Sequence, residues 1–143
     1  MLDFVEQLIA ANADLADVGT PQPDQEIRNA EETLGLKFPE SFTDYLKRWG
    51  WVSFGPNEYL GLGATMQNIV RETGRARLSC NLPNHMIVVC DHDGDEFVCI
   101  DTSERNNGEC RVIVWDCPSK SYSRYRAKDF ASFLEDDMRA FLE

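Results

Sequence analysis

The sequence predicts an α+β fold in which N-terminal helices and a C-terminal helix pack around a mostly antiparallel, multi-stranded sheet. Three observations carry that prediction. Apolar residues recur at helical spacing through residues 1–50. Three β-branched or aromatic runs then follow in close succession: MIVVCD (86–91), EFVCID (96–101) and RVIVWD (111–116). A last helical stripe closes the chain, with Phe130, Phe133, Leu134, Met138 and Phe141 on one face. Helices, then adjacent strands, then a helix is the order of an α+β protein rather than of alternating βαβ units.

The elements follow in order. Leu2, Val5, Ile9, Ala13 and Ala16 share a face and predict a first helix. The breaker-rich link GTPQPD comes next. A second helix opens near Asp24, carries Ile27, Ala30 and Leu34 inward, and stops at Gly35. Phe38 is pushed extended by Pro39, which suits a first helical turn. Phe42, Tyr45, Leu46 and Trp49 form the stripe of that third helix, which Gly50 ends. WVSFG and EYLGLG predict short strands with tight turns. Thr65 is placed to cap a short helix through MQNIVRE that stops at Gly74. After the three strand runs, SYSRYR alternates polar and aromatic residues as an edge strand does. No repeat or low-complexity segment divides the chain, so residues 1–143 are expected to form one domain.

Composition narrows the classes of function. A globule of this length buries about 70% of its unfolded surface and needs no metal or disulfide to stand. The net charge of −11 is uneven: residues 1–50 hold ten acids against four bases, and residues 86–116 hold eight against two. Such a surface repels nucleic acid and anionic membrane and attracts a basic partner; acidic charge that only aids solubility is the bland alternative. The acidic, amphipathic start lacks the basic n-region of a signal peptide, and no run approaches the length of a membrane span. A cytoplasmic location is expected. Five cysteines with no CxxC pair are then most simply free, buried thiols.

The stretch CDHDGDEFVCIDT (90–102) sets two cysteines, a histidine and five acids close together. It fails as an EF-hand loop, because counting from Asp91 puts glycine at the fourth position and Thr102 at the twelfth. Cys90, His92 and Cys99 lack a fourth zinc ligand and a short-spaced pair. No metal and no cofactor is expected, although an irregular, weak cation site stays open. A β-hairpin explains more. With Gly94-Asp95 at the turn, Asp93 faces Glu96, Asp91 faces Val98, Cys90 faces Cys99 and Val89 faces Ile100. The hairpin then projects Asp91, Asp93, Asp95 and Glu96 as partner-binding residues. Trp51 and Tyr59 are the candidate apolar anchors, since Trp and Tyr dominate binding hot spots; burial in the core is the competing reading for either.

Catalytic constellations are thin. His85 and His92 are the only histidines, and neither has neighbours that suggest an activated nucleophile. GLG at 61–63 lacks the frame of a phosphate loop. Arg71, Arg75 and Arg77 make a small basic island expected to face solvent or the chain's own acids. The chain is therefore expected not to be an enzyme, with no catalytic residue assigned.

One further pattern is present. Ile27, Ala30, Glu31, Leu34, Gly35, Phe38, Pro39, Ser41, Phe42, Tyr45, Leu46 and Gly50 stand in an order and spacing that resembles the opening of the SUKH superfamily. That group includes the yeast cell-wall assembly regulator and many bacterial immunity proteins. Phe54-Gly55, the glycine turn at 61–63, Val98 to Thr102, Val112 to Asp116 and Ser132-Phe133-Leu134 agree in order. One departure is Cys117, where a histidine often follows the Trp-Asp pair; if that histidine matters for a partner, the contact is lost here. The resemblance implies an α+β fold and a non-enzymatic role, binding and neutralising a toxin domain, often a nuclease, of a polymorphic or contact-dependent system. A regulatory scaffold of the yeast kind is the alternative it leaves.

Overall fold

The computed structural model describes residues 1–63 and 68–143. The first turn of chain geometry is set by α1 (Asp3–Ala11), which buries Val5 and is preceded by the buried Leu2. The helix stops five residues short of the predicted Ala16. Asn12 caps it, a turn links the Leu15 N–H to the Asn12 carbonyl, and Ala16 enters a strand instead. That strand, β1 (Ala16–Val18), pairs antiparallel with β2 (Val52–Phe54), which in turn pairs with β3 (Asn57–Tyr59). Turn-prone Asn12 and Asp14, with non-local strand pairing, override the helical spacing of Ala13 and Ala16.

Between β1 and β2 run α2 (Asp24–Leu34) and α3 (Glu40–Arg48). Gly35 ends α2 at φ 72°, a left-handed position that any side chain would strain. Glu31 of α2 accepts the Phe38 N–H at 2.7 Å and so fixes the link to α3. Phe42 and Tyr45 of α3 meet Phe130 edge-on at 4.9 and 5.0 Å between ring centroids. Phe130 opens α5 (Phe130–Leu142), whose Asp129 accepts the Ser132 N–H as its N-cap. The buried Tyr45 hydroxyl accepts the Val52 N–H at 3.0 Å and donates toward the Tyr59 carbonyl at 2.9 Å, which pins β2 and β3 to α3.

The second sheet is built from β4 (Met86–His92), β5 (Glu96–Asp101), β6 (Val112–Asp116) and β7 (Ser121–Ala127), in that order and antiparallel throughout. SYSRYR is its exposed edge strand, as its alternation predicts. The β4 edge is closed instead: Val88 donates its N–H to Thr73 Oγ1 and Val89 accepts from Leu60 N–H. Thr73 belongs to α4 (Ile69–Ser79), capped by Asn68, which accepts the Val70 N–H. The predicted cap, Thr65, lies outside the described residues. The predicted stop at Gly74 is corrected: α4 runs through it, because the inward face of Ile69, Thr73 and Ala76 repays the ~1 kcal/mol a helical glycine costs. The two sheets, flanked by the helices, share one continuous core, and the fold is α+β. Among the described residues, no helix is long and apolar enough to cross a membrane.

The cysteine reading needs correction. Cys90, Cys99 and Cys110 are free and buried, but Cys80 and Cys117 are joined in a disulfide. The fold brings the C-cap of α4 to within 4.9 Å (Cα to Cα) of the residue after β6, inside the bridging range, across 37 positions of sequence.

Candidate functional site

The β4–β5 turn is where sequence chemistry and geometry meet. His92, Asp93, Gly94 and Asp95 form it, with the Asp95 N–H donating to the His92 carbonyl. Asp93 and Gly94 stand at φ 56° and 79°, the double positive φ that a type I′ turn requires and that Asp-Gly favours. Asp91 Oδ1 accepts the Gly94 N–H at 2.7 Å and stiffens the turn from below. Asp95 is then an extra residue, so Glu96 pairs with His92 and Asp91 with Phe97. A second irregularity at Val89 puts Cys90 opposite Val98 and Cys99 opposite Val88.

The predicted register, with Cys90 facing Cys99, is therefore wrong, and the two thiols lie on opposite faces. The physical reason is two single-residue insertions that strict alternation does not anticipate. Cys90 Sγ stays near His92 Nε2, at 3.7 Å, while Cys99 points away, so Cys90, His92 and Cys99 do not converge. Among the described residues, no three His, Cys, Asp or Glu side chains are placed to hold a metal.

One row crosses the whole sheet at this end: His92, Glu96, Asp116 and Ser121 stand opposite one another in turn. Glu96 and Asp116 are thus like charges directly opposed in a ladder, which costs stability. Two local bonds moderate the cost. Arg124 reaches Glu96 at 3.0 Å, and Asp116 accepts the Ser119 N–H at 2.9 Å. The Ser119 hydroxyl and N–H hold the Asp116 carboxyl below the usual carboxylate range. Beyond the row, Asp91, Asp93 and Asp95 are exposed, and no cation among the described residues pairs with Asp93 or Asp95. The charge of Asp91 reaches the neighbouring thiol. Burial, then the charges of Asp137, Asp91 and Glu58, push Cys90 up to about 12.

The structure distributes the predicted residues unevenly. Asp91, Asp93, Asp95 and the half-buried Glu96 stand together at the tip. Tyr59 does not serve as an exposed anchor. Its ring is fully buried, edge-on to Phe133 at 6.0 Å, and its hydroxyl donates to Asp137 at 2.6 Å. Burial and the Asp137 charge both raise its pKa far above the ordinary phenol range. Trp51 is half-buried with its indole laid against Gly19, where a Cβ would come within 2.3 Å of Nε1. No hydrogen bond or ring contact among the described residues connects it to the tip. Sequence reasoning missed Asp116, whose place follows once the end of RVIVWD is laid antiparallel against the start of EFVCID. Elsewhere, a groove of about 450 Å³ between α2 and α3 carries Arg28, Lys37 and Lys47 beside Asp24, Glu31, Glu40 and Asp44. Its charges nearly balance, with Lys47 bound to Asp24 at 3.1 Å. The basic island of α4 is spent internally too, with Arg71 and Arg75 on Glu72 and Arg77 on the Leu34 and Asn84 carbonyls.

With this architecture in place, comparison with known families is direct. The family described as SMI1-KNR4 cell-wall (SUKH_5) matches residues 1–140. The chain belongs to the SUKH family. Residues that carried the resemblance now have structural roles here: Glu31 and Gly35 shape the α2–α3 link, and Ser41 donates its N–H and hydroxyl to the buried Glu109 at 2.9 and 2.6 Å. The crystal structure of a protein from Pseudomonas syringae pv. tomato superposes with a TM-score of 0.63 at 19% identity, over 82% of this chain and 84% of that one. At that identity the likeness extends to the fold.

Proposed function

We propose that this SUKH chain is a non-catalytic immunity protein that acts in the cytosol. It binds and neutralises the basic, nuclease-type toxin domain of a polymorphic or contact-dependent toxin system. The observation that carries the reading is the acidic end of the four-stranded sheet. There, Glu96 opposes Asp116 within the ladder, and Asp93 and Asp95 project with no ion-pair partner among the described residues. A like-charge pair and a bare acidic turn cost the isolated fold stability, and a cationic surface laid over them removes that cost. Blocking a nuclease cleft needs shape and charge but no catalytic group. A stable inhibitory interface buries about 1,200–2,000 Å² in total, more than a turn supplies, so the flanks of the sheet end share in it. The family's cell-wall description favours a second reading, a regulatory protein-interaction module. That module would use the same surface without a toxin.

Gene neighbourhood and protection separate the two. A neighbouring gene for a large secreted protein with a variable C-terminal domain supplies the toxin to test. Co-expressed with it, the wild type is expected to protect the cell. The Asp93→Lys/Asp95→Lys variant is expected to lose protection while staying folded, its melting temperature lowered only by the about 1–2 kcal/mol that lysine costs at the positive φ of Asp93. Full protection by the variant would remove the tip from the interface.

A further inference from the structure

We propose that Cys80–Cys117 is a thiol–disulfide exchange site whose state sets how firmly the acidic tip is held, an inference that rests on the tip being the partner-binding surface. The bond joins two parts of the fold that differ in exposure. Cys80, the C-cap of α4, is buried, and its carbonyl accepts the Trp115 Nε1–H at 3.0 Å. Cys117 is half-buried at the head of the β6–β7 turn, which its own carbonyl closes by accepting the Lys120 N–H. The Cys117 N–H donates to the Asp95 carbonyl at 2.8 Å. A continuous path of one covalent and one hydrogen bond thus runs from the end of α4 through the β6–β7 turn to the acidic tip. Opening the disulfide removes the covalent anchor of that turn and leaves it held by hydrogen bonds alone, among them Trp115 to the Cys80 carbonyl and Ser119 N–H to Asp116, and the turn is what holds Asp95 from the side.

The remaining cysteines do not compete for this chemistry. Cys90, Cys99 and Cys110 are buried, and burial raises their pKa values, which leaves little thiolate to attack a disulfide. The incoming reagent is a small cytosolic thiol of the glutathione class. Its thiolate attacks Cys117 Sγ, the sulfur of the less buried cysteine. The S–S bond breaks with its electron pair on Cys80 Sγ, which takes a proton. A second thiolate then attacks the small-molecule sulfur of the mixed disulfide and releases Cys117, which also takes a proton. Two thiols become one small disulfide, and the protein gains two electrons and two protons. In a cytosolic protein, a disulfide that opens and closes in this way is more often a redox sensor than a structural staple.

The test uses the full chain in buffers of reduced and oxidised glutathione. Alkylation after unfolding counts thiols, and amide hydrogen exchange reads the tip. Oxidised protein is expected to expose three alkylatable thiols and reduced protein all five, matching one bonded pair among the five cysteines. Amides of residues 93–97 and of Cys117, Ser119 and Lys120 are expected to exchange about tenfold faster in the reduced form, while those of α2 do not change. Cys117→Ser is expected to exchange at the reduced rate with or without reductant. Five thiols in oxidising buffer, or tip exchange that is equal in the two states, would overturn the proposal. Because the readout involves no toxin, it stands apart from the binding reading. A charge reversal at the tip that spares protection sinks that reading and leaves the exchange result intact.

Discussion

Asp101 shows how a single carboxylate is made to fit inside this protein. Its side chain is 2% exposed, at the end of β5. Burial alone would raise its pKa, but the Ser103 hydroxyl at 2.6 Å, the Ser103 N–H at 3.0 Å and Arg111 at 2.9 Å outweigh it and hold the carboxyl below its usual range. The sign follows from linkage. A depressed carboxylate contributes its full stabilisation above the unfolded pKa, near 4, and loses it as pH falls through the lower folded value. Asp101→Asn is expected to cost about 1–3 kcal/mol at neutral pH, as loss of a charged acceptor from buried donors does. Urea midpoints measured downward from pH 5 check the linkage: the wild type should lose stability more steeply below about pH 4 than Asp101→Asn. Parallel curves would mean that Asp101 carries no linked proton.

At the scale of elements, the closed β4 edge is the test case. A helix side chain, Thr73 Oγ1, satisfies the Val88 N–H at a buried position that no strand reaches. Thr73→Val keeps the shape and removes the acceptor, so a buried N–H is left unpaired. The expected cost is about 1–3 kcal/mol in the unfolding midpoint, with no loss of helix by circular dichroism. A neutral result would show that the β4 edge needs no side-chain partner. The same element also marks where the sequence stops being legible. Local signals placed α2 between Asp24 and Gly35 and α3 between Pro39 and Gly50, and the strand runs at 86–116 and the edge strand SYSRYR were readable from β-branched density and alternation. What failed were features that depend on distant partners. β1 is three residues long and exists through its pairing with Phe54, Ser53 and Val52. Gly74 stays helical because of what α4 packs against. Cys80 and Cys117 carry no motif, and only the fold brings them together. The tip acids were legible because a turn exposes its side chains regardless of register. Tyr59 was not, because the residues that bury it, Phe133 and Asp137, lie more than seventy positions away.

At the scale of the whole molecule, charge is the property on which the proposed function rests. A net charge of −11 sets a negative field around the protein, and the end of the four-stranded sheet gathers Asp91, Asp93, Asp95, Glu96 and Asp116, with Arg124 paired to Glu96. A field of that kind acts mainly on association, raising the rate of encounter with a basic partner by roughly ten- to a thousand-fold and fading as salt screens it. The measurement that bears most directly on this account is the association rate with the proposed partner, a toxin domain encoded by a neighbouring gene, in a catalytically dead form, across ionic strength. Wild type and Asp93→Lys/Asp95→Lys are compared. The account predicts a wild-type rate at least about tenfold above the variant's at low salt, with the two converging as salt rises. Equal rates at low salt, or a wild-type rate indifferent to salt, would contradict it.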